Sequence, residues 1–406
     1  MRRTLLSAVG ATAIVGMTLA LAAPALATTH KKPKPKPDPY VTADTQMTTA
    51  ASIAGGGSTF AAPLENAAQA YYGARNGNAT LAGYQAVGSG AGEVGLLNGS
   101  FNYGGTDVPL AQTDINTDAP GKGYTLASFE QVPVGLGGIA MAYNLPGFKS
   151  SVHLEFNATI IADIYKGTIK NWNDPAIASL NKAILKTAKV KLPAQPIKYV
   201  ARADKSGTTY IFTNFLGTAA PSVWTTAPSK NPLTLGTGDV AGSGNQGVAA
   251  AVQSNAYSIG YVEYSYLLLN PSLQQGVGAI LNKSGKYVVP SPAAIQADAA
   301  AKPLVSPATL ALYSIVFLPG ATAYPISGYT WAVVFKQQTN AAKGTLLVKY
   351  LDWLSHSGNP HSTAGQNIAK AQGYVMLPKN IQKLARNTLL SVRGPGNVIL
   401  LTTTAG

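Results

Sequence analysis

The segment from residue 84 to residue 97 reads YQAVGSGAGEVGLL and sets a pattern that recurs along the chain. A strand-like apolar run ends at Val87, small residues form a turn over 88–92, and a helix is predicted from Glu93. The same order of strand, Gly/Ser/Thr turn and helix occurs at 55–60 (GGGSTF) and at 206–209 (SGTT). Strands that alternate with helices in this way predict an α/β fold.

These three turns share a chemistry. Each places backbone N–H groups and a hydroxyl at the start of a helix, where the helix dipole favours an anion. A single turn of this kind is more typical of an ordinary helix N-cap. Three turns that converge on one point, with an arginine nearby, would form an oxyanion-binding site.

The rest of the chain continues the alternation. We predict strands over 138–143, 197–201 and 331–335, a helix after residue 207, and a late helix over 346–354.

Composition excludes several classes of protein. The chain has 406 residues, a net charge of +14, 46% apolar residues and only 11% charged residues. This apolar content suits folded domains and argues against disorder or a long coiled coil. The complete lack of cysteine excludes disulfides, thiolate metal sites, thiol catalysis and a lipid anchor on cysteine.

The first 50 residues read as export and spacer segments. Two arginines, an apolar run and an Ala-Leu-Ala exit over 25–27 indicate a signal peptide over 1–27, with an uncleaved membrane anchor as the alternative. The Lys/Pro-rich linker over 28–50 is expected to be extended. It is either a solvated spacer or a segment that binds an anionic envelope surface. We therefore expect an exported protein, periplasmic or extracellular.

Candidate catalytic and metal sites are scarce. The four histidines have no partner at metal-ligand spacing, and neither a G-x-S-x-G elbow nor a P-loop occurs. Two G-x-G-x-x-G matches carry little weight in a chain so rich in glycine. The basic stretch over 182–191 is too loosely spaced for nucleic acid. We expect no catalytic residue, metal or cofactor, and no nucleic acid partner.

A set of motifs then gives a resemblance. They fall in order along the chain: 55–60 (GGGSTF), 84–92 (YQAVGSGAG), 107–110 (DVPL), 162–167 (ADIYKG), 172–174 (WND), 202–208 (RADKSGT), 244–248 (GNQGV), 259–264 (IGYVEY) and 324–326 (YPI). With these motifs the chain resembles the phosphate-binding proteins of bacterial high-affinity ABC phosphate transporters.

The resemblance implies a two-lobe α/β periplasmic-binding-protein type II fold, with hinge strands and a ligand cleft between the lobes. Lobe one would comprise 51–134 and 325–392, lobe two 135–324, and a C-terminal tail 393–406. The tail is either a packing strand or an unstructured end.

The resemblance also implies the ligand contacts. Inorganic phosphate would be held by Thr59, Phe60, Ser89, Asp107, Arg202, Ser206, Gly207 and Thr208. Asp204 would support the Arg202 guanidinium, and Asp107 would accept the proton that phosphate carries and sulfate lacks. Lys205 stands where the family has a small residue, and would either add attraction at the cleft mouth or disturb the Arg202–Asp204 pair.

The expected function is phosphate capture by a monomer and delivery to the permease subunits of an ABC importer. Two other classes stay open at this point. One is a secreted phosphatase on the same fold, and the other is an envelope adhesion protein, suggested by the 20 tyrosines and the basic linker.

Overall fold

The computed structural model describes residues 47–149, 151–271, 276–302, 314–357 and 364–402. The predicted signal peptide and most of the predicted linker lie outside these ranges. Within them, no helix is both long and apolar enough to cross a membrane.

The main structure is one eight-stranded mixed sheet flanked by helices, with the strand order β2-β1-β3-β11-β4-β8-β6-β7. A small second sheet has the order β10-β9-β5. The strands are β1 (Ala51–Gly57), β2 (Ala79–Gln85), β3 (Tyr103–Thr106), β4 (Phe129–Asn144), β5 (Glu155–Phe156), β6 (Lys198–Arg202), β7 (Val240–Gly242), β8 (Ser258–Glu263), β9 (Ala279–Leu281), β10 (Tyr287–Val288) and β11 (Ser327–Phe335).

The helices follow the strands in the alternation that the sequence predicts. They are α1 (Ala62–Arg75), α2 (Ser89–Leu97), α3 (Gln112–Asp118), α4 (Ala158–Tyr165), α5 (Pro175–Leu180), α6 (Lys182–Ala188), α7 (Gly207–Ala219), α8 (Gly244–Ser254), α9 (Tyr264–Leu269), α10 (Pro292–Ala300), α11 (Ala341–Ser355), α12 (Gly365–Ala371) and α13 (Lys379–Leu389).

The long strand β4 joins two half-sheets. Residues 129–138 pair antiparallel with β11, and residues 139–144 pair antiparallel with β8. Strands β2, β1 and β3 run parallel to one another on one side, and β8, β6 and β7 do so on the other. We call the half built on β2-β1-β3-β11 lobe one and the half built on β8-β6-β7 lobe two.

Helix α2 begins at Ser89, four residues earlier than the prediction. The helix therefore includes the glycines of the turn. It packs so closely against its neighbours that larger side chains would not fit at these positions. A Cβ atom added at Gly92 would lie 2.5 Å from the Gly57 Cα atom, and one added at Gly95 would lie 2.3 Å from the Phe101 ring. Tertiary packing therefore outweighs the low helix propensity of glycine.

Aromatic residues fill the cores of both lobes. In lobe two, the Phe212 and Tyr261 rings stack with centroids 4.3 Å apart. In lobe one, Tyr72 packs edge-on against Tyr350 at 5.4 Å. Of the 20 tyrosines in the sequence, eleven are buried within the described ranges, so most of the tyrosine content belongs to the core and not to an adhesive surface.

The described part of the C-terminal tail folds back on lobe one. Arg393 bridges to Gln337 and to Ile399, and the side chains of Leu400 and Leu401 are buried in the core. The described tail is therefore anchored on lobe one through Arg393, Leu400 and Leu401, whereas Val398 and Ile399 are exposed and 403–406 lie outside the described ranges.

Candidate functional site

The candidate site lies at the carboxyl ends of parallel strands in both lobes. Ser58 follows β1, Asp107 follows β3, Arg202 ends β6, and Asn245 lies just after β7. Ligands of open α/β sheets bind at this edge, because the loops there converge and the helices begin there.

The first turn carries Ser58, Thr59 and Phe60, all buried. The Ser58 hydroxyl donates to Asp107 Oδ1 at 2.5 Å and accepts the Phe60 N–H at 3.0 Å. The Thr59 hydroxyl accepts two hydrogen bonds at 3.0 Å, from the backbone N–H and the side-chain amide of Asn245 in lobe two. This turn therefore touches both the carboxylate of lobe one and the opposite lobe.

The second turn brings Ser89 beside Asp107. The Ser89 hydroxyl donates to Asp107 Oδ2 at 3.5 Å and accepts the Gly207 N–H of lobe two at 3.1 Å. Gly88 precedes it with a φ of +94°, and a Cβ atom there would lie 2.2 Å from Asp204 Oδ2. Glycine is needed at 88 both for this conformation and for the close approach of the lobes.

The third turn starts helix α7 with Ser206, Gly207 and Thr208. The Ser206 side chain caps the helix by accepting the Thr209 N–H at 3.1 Å. A Cβ atom at Gly207 would lie 2.4 Å from Asp107 Oδ2 and 2.6 Å from Ser89 Oγ. The three turns predicted from the sequence thus meet around Asp107.

Asp107 is the carboxyl group at the centre of the site. Burial raises its pKa to about 6, and the hydrogen bond from Ser58 and the positive charge of Arg202 offset part of that rise. As a carboxylate, the group could accept a further hydrogen bond from a protonated ligand.

Arg202 supplies the positive charge. Its guanidinium is almost fully buried and binds Asp204 in a fork, with Nε to Oδ1 at 2.9 Å and Nη2 to Oδ2 at 2.5 Å. The remaining terminal nitrogen, Nη1, donates to the Thr208 hydroxyl at 3.2 Å. The planar fork fixes the guanidinium in one orientation.

Lys205 does not disturb this pair. Its side chain is exposed, and the Arg202–Asp204 contacts are complete. Its backbone carbonyl accepts the Gly90 N–H of lobe one at 3.1 Å. The lysine charge therefore lies at the edge of the site, where the two lobes meet.

The sequence analysis missed two contributors, Ser58 and Asn245. Asn245 is fully buried, and its side-chain amide donates to the hydroxyls of Thr59 and Thr208 at 3.0 Å each. It thereby links one turn from each lobe. The sequence contained an indication of both residues, because Ser58 lies inside the first turn and Asn245 lies inside the motif over 244–248.

A second buried carboxyl group lies close by. Glu263 ends β8 and caps α9, where its Oε2 atom accepts the Ser265 N–H at 2.9 Å. Burial raises its pKa to about 8. Its backbone N–H donates to Asn245 Oδ1 at 2.9 Å, so this group is connected to the site.

Comparison with known proteins places the chain among solute-binding proteins. The family model described as the PBP superfamily domain matches residues 42–357. The phosphate-binding protein PstS of Xylella fastidiosa (strain 9a5c) is 31% identical over 83% of this chain and 85% of its own length. That of Pasteurella multocida (strain Pm70) is 31% identical over 83% of this chain and 90% of its own length.

Solved structures show the same fold. A high-affinity periplasmic phosphate-binding protein (PfluDING) bound with phosphate superposes with a TM-score of 0.64. It is 22% identical in sequence, and the match covers 83% of this chain and 93% of that one. The architecture is therefore the two-lobe fold of periplasmic binding proteins.

Proposed function

The chain belongs to the PstS family of phosphate-binding proteins, and we propose that it captures inorganic phosphate and delivers it to the permease subunits of an ABC importer. One observation carries the proposal: the Asp107 carboxyl group accepts hydrogen bonds from the Ser58 and Ser89 hydroxyls of lobe one, and the Ser89 hydroxyl in turn accepts the Gly207 N–H of lobe two. This arrangement suits a small oxyanion bound between the lobes.

We assign the ligand contacts to the turns that meet there. The proposed set is Thr59, Phe60, Ser89, Asp107, Arg202, Ser206, Gly207 and Thr208, with Asp204 as the support of Arg202. Backbone N–H groups at helix starts and hydroxyls satisfy the oxygens of an anion, and a buried oxygen without a partner would cost about 1–3 kcal/mol. One guanidinium adds charge without surrounding the ligand with cations.

Asp107 is the proposed determinant of specificity. Phosphate carries a proton near neutral pH that can be donated to the carboxylate, whereas sulfate offers it only lone pairs. A buried acceptor that faces another acceptor is strongly unfavourable, and sulfate is rejected for that reason.

The proposed lobe boundaries are 51–134 with 325–392 for lobe one and 135–324 for lobe two. A crossing between the lobes within β4 is supported by its change of partner, since it pairs with β11 up to Gly138 and with β8 from Ile139, four residues after the proposed boundary. A strand that pairs in both half-sheets can act as a hinge between the lobes. A ligand that contacts both lobes would then shift the equilibrium from the open to the closed state.

The proposal is capture without turnover, by a monomer exported from the cytoplasm. Calorimetric titration of the protein, dialysed free of ligand, with phosphate and separately with sulfate tests it. We expect one-to-one binding of phosphate and no heat with sulfate, and binding of neither anion would contradict it. Hydrolysis of a phosphate monoester with and without divalent metal tests the phosphatase alternative, and we expect none.

A further inference from the structure

An ion cluster outside the phosphate site joins the two lobes. Lys230 lies in the loop between α7 and β7 of lobe two, and its ammonium group contacts two carboxylates of lobe one. The Lys230 Nζ atom binds the Glu93 Oε2 atom on α2 and lies 2.9 Å from Asp114 Oδ2 on α3. Since these elements belong to different lobes, a movement of the lobes away from each other would break these contacts.

The cluster is largely buried, so the loss of one partner would leave a buried charge unpaired. Glu93 is 1% exposed and Lys230 is 9% exposed, whereas the Asp114 side chain is 26% exposed. A buried carboxylate left without its cation is strongly destabilising, because it has lost water and gained nothing in return. Glu93 would keep only the Thr106 hydroxyl, which donates to its Oε1 atom at 2.9 Å.

Lys230 is also held in place from its own lobe. Its backbone carbonyl accepts the Ser206 N–H at 2.7 Å, at the helix start that belongs to the proposed phosphate site. The preceding residue, Ser229, is also bonded to α7, because its N–H donates to the Thr213 hydroxyl at 3.1 Å. The ammonium group is thus positioned by the same helix that carries Gly207 and Thr208.

The partner carboxylate is positioned by the other half of the site. Glu93 lies on α2, one turn after Ser89, the helix start that contacts Asp107. The ion cluster therefore connects helix α2, which contains Glu93, with the start of helix α7, where the Ser206 N–H donates to the Lys230 carbonyl. We propose that Lys230, with Glu93 and Asp114, forms an interlobe latch that sets how long the closed protein retains its anion.

The latch rests on the proposed function, because it deepens the account of phosphate retention. The three residues lie outside the proposed set of ligand contacts and act as positioning residues. Charge pairs that are buried on association act mainly on the dissociation rate, whereas exposed charges act on the association rate. We therefore expect Lys230→Met to raise the phosphate dissociation rate at least about tenfold and to leave the association rate within about twofold.

A double substitution separates a latch from a merely structural role. Lys230→Met alone leaves Glu93 buried without its cation, whereas Lys230→Met with Glu93→Gln leaves no buried charge. The double variant should therefore release phosphate more slowly than Lys230→Met alone. Lys283→Met is the matched control, since Lys283 is an exposed lysine of lobe two between β9 and β10.

Stopped-flow kinetics with inorganic phosphate measures both rates. A second readout needs no phosphate: spin labels at Thr80→Cys in lobe one and Lys186→Cys in lobe two report the interlobe distance. The labels react at these two positions alone, because the chain has no native cysteine. We expect Lys230→Met to shift the distance distribution toward the open form, and the control to leave it unchanged.

The outcomes are distinguishable. Faster dissociation from Lys230→Met, partly restored in the double variant, supports the latch. Unchanged dissociation together with an unchanged distance distribution overturns it, even if phosphate binds tightly. If the wild-type protein binds no phosphate, the proposed function fails, and the distance measurement still decides: longer distances in Lys230→Met support the latch and unchanged distances overturn it.

Discussion

Gly207 is the residue at which the closed arrangement leaves no room for a side chain. A Cβ atom there would lie 2.4 Å from Asp107 Oδ2, 2.6 Å from Asp107 Cβ and 2.6 Å from Ser89 Oγ. Rotation of the carboxylate cannot relieve the contact with Asp107 Cβ, so the lobes themselves must move apart. Both clashing residues belong to lobe one, and Gly207 belongs to lobe two.

Gly207→Ala should therefore weaken phosphate binding without unfolding the protein. Overpacking of this kind costs about 1–3 kcal/mol, which corresponds to a rise in Kd of about 5- to 150-fold. The ligand-free variant can avoid the clash if its lobes open. Alanine is also a good residue for the first turn of a helix, so the substitution should not destabilise α7. We expect the melting temperature of the variant to stay near that of the wild type.

Calorimetric titration with phosphate and thermal unfolding of the ligand-free protein measure the two effects. Gly73→Ala is the control, because Gly73 lies in helix α1 with nothing within 4 Å of an added Cβ atom. Its phosphate affinity should equal that of the wild type. Native affinity in Gly207→Ala would refute the reasoning, since the bound state would then not bring Gly207 against Asp107.

Three further predictions concern the charged groups. Asp107→Asn should keep phosphate binding and gain sulfate binding in calorimetry, and unchanged selectivity would contradict its role. Arg202→Ala should lose about 2–5 kcal/mol of binding, a fall in phosphate affinity of about 30-fold or more by the same assay, and near-native affinity would place the anion elsewhere. In the folded protein burial raises the pKa of Glu263 to about 8, whereas in an unfolded chain the group loses its proton near pH 4.5. The free energy of unfolding of the wild type should therefore decrease as the pH rises between those values, by at most about 5 kcal/mol. Glu263→Gln has no such pH-dependent loss of stability, so thermal unfolding should show that its stability relative to the wild type increases from pH 5 to pH 8. A stability difference that does not change with pH would contradict the buried, protonated state.

Local patterns were sufficient to predict the three turns that meet around Asp107. The turn around Ser89 combines Gly and Ser, and the turn around Gly207 combines Gly, Ser and Thr, in a short window between a strand and a helix that predicts a helix start. The α/β class follows from the same alternation. The assignment of Asp107 depended on its flanking motif, because an Asp before a proline turn has many structural uses.

Long-range contacts explain what the sequence could not predict. Thr59 and Asn245 are 186 residues apart, and no local pattern indicates that one bonds the other. The first half of β4 was missed because a strand that joins two half-sheets is buried almost throughout and shows no alternation. The contact between Lys230 and Glu93 spans 137 residues and the two lobes, so it could emerge only from the folded structure.

The crystal structure of the phosphate-saturated protein tests the central claim most directly. We predict one phosphate between the lobes, with one oxygen at a short O–H···O⁻ distance of about 2.5–2.7 Å from an Asp107 carboxylate oxygen. Other phosphate oxygens should lie within hydrogen-bond distance of the Gly207 N–H and of Arg202. Phosphate bound away from Asp107, or bound by residues of one lobe alone, would contradict the account.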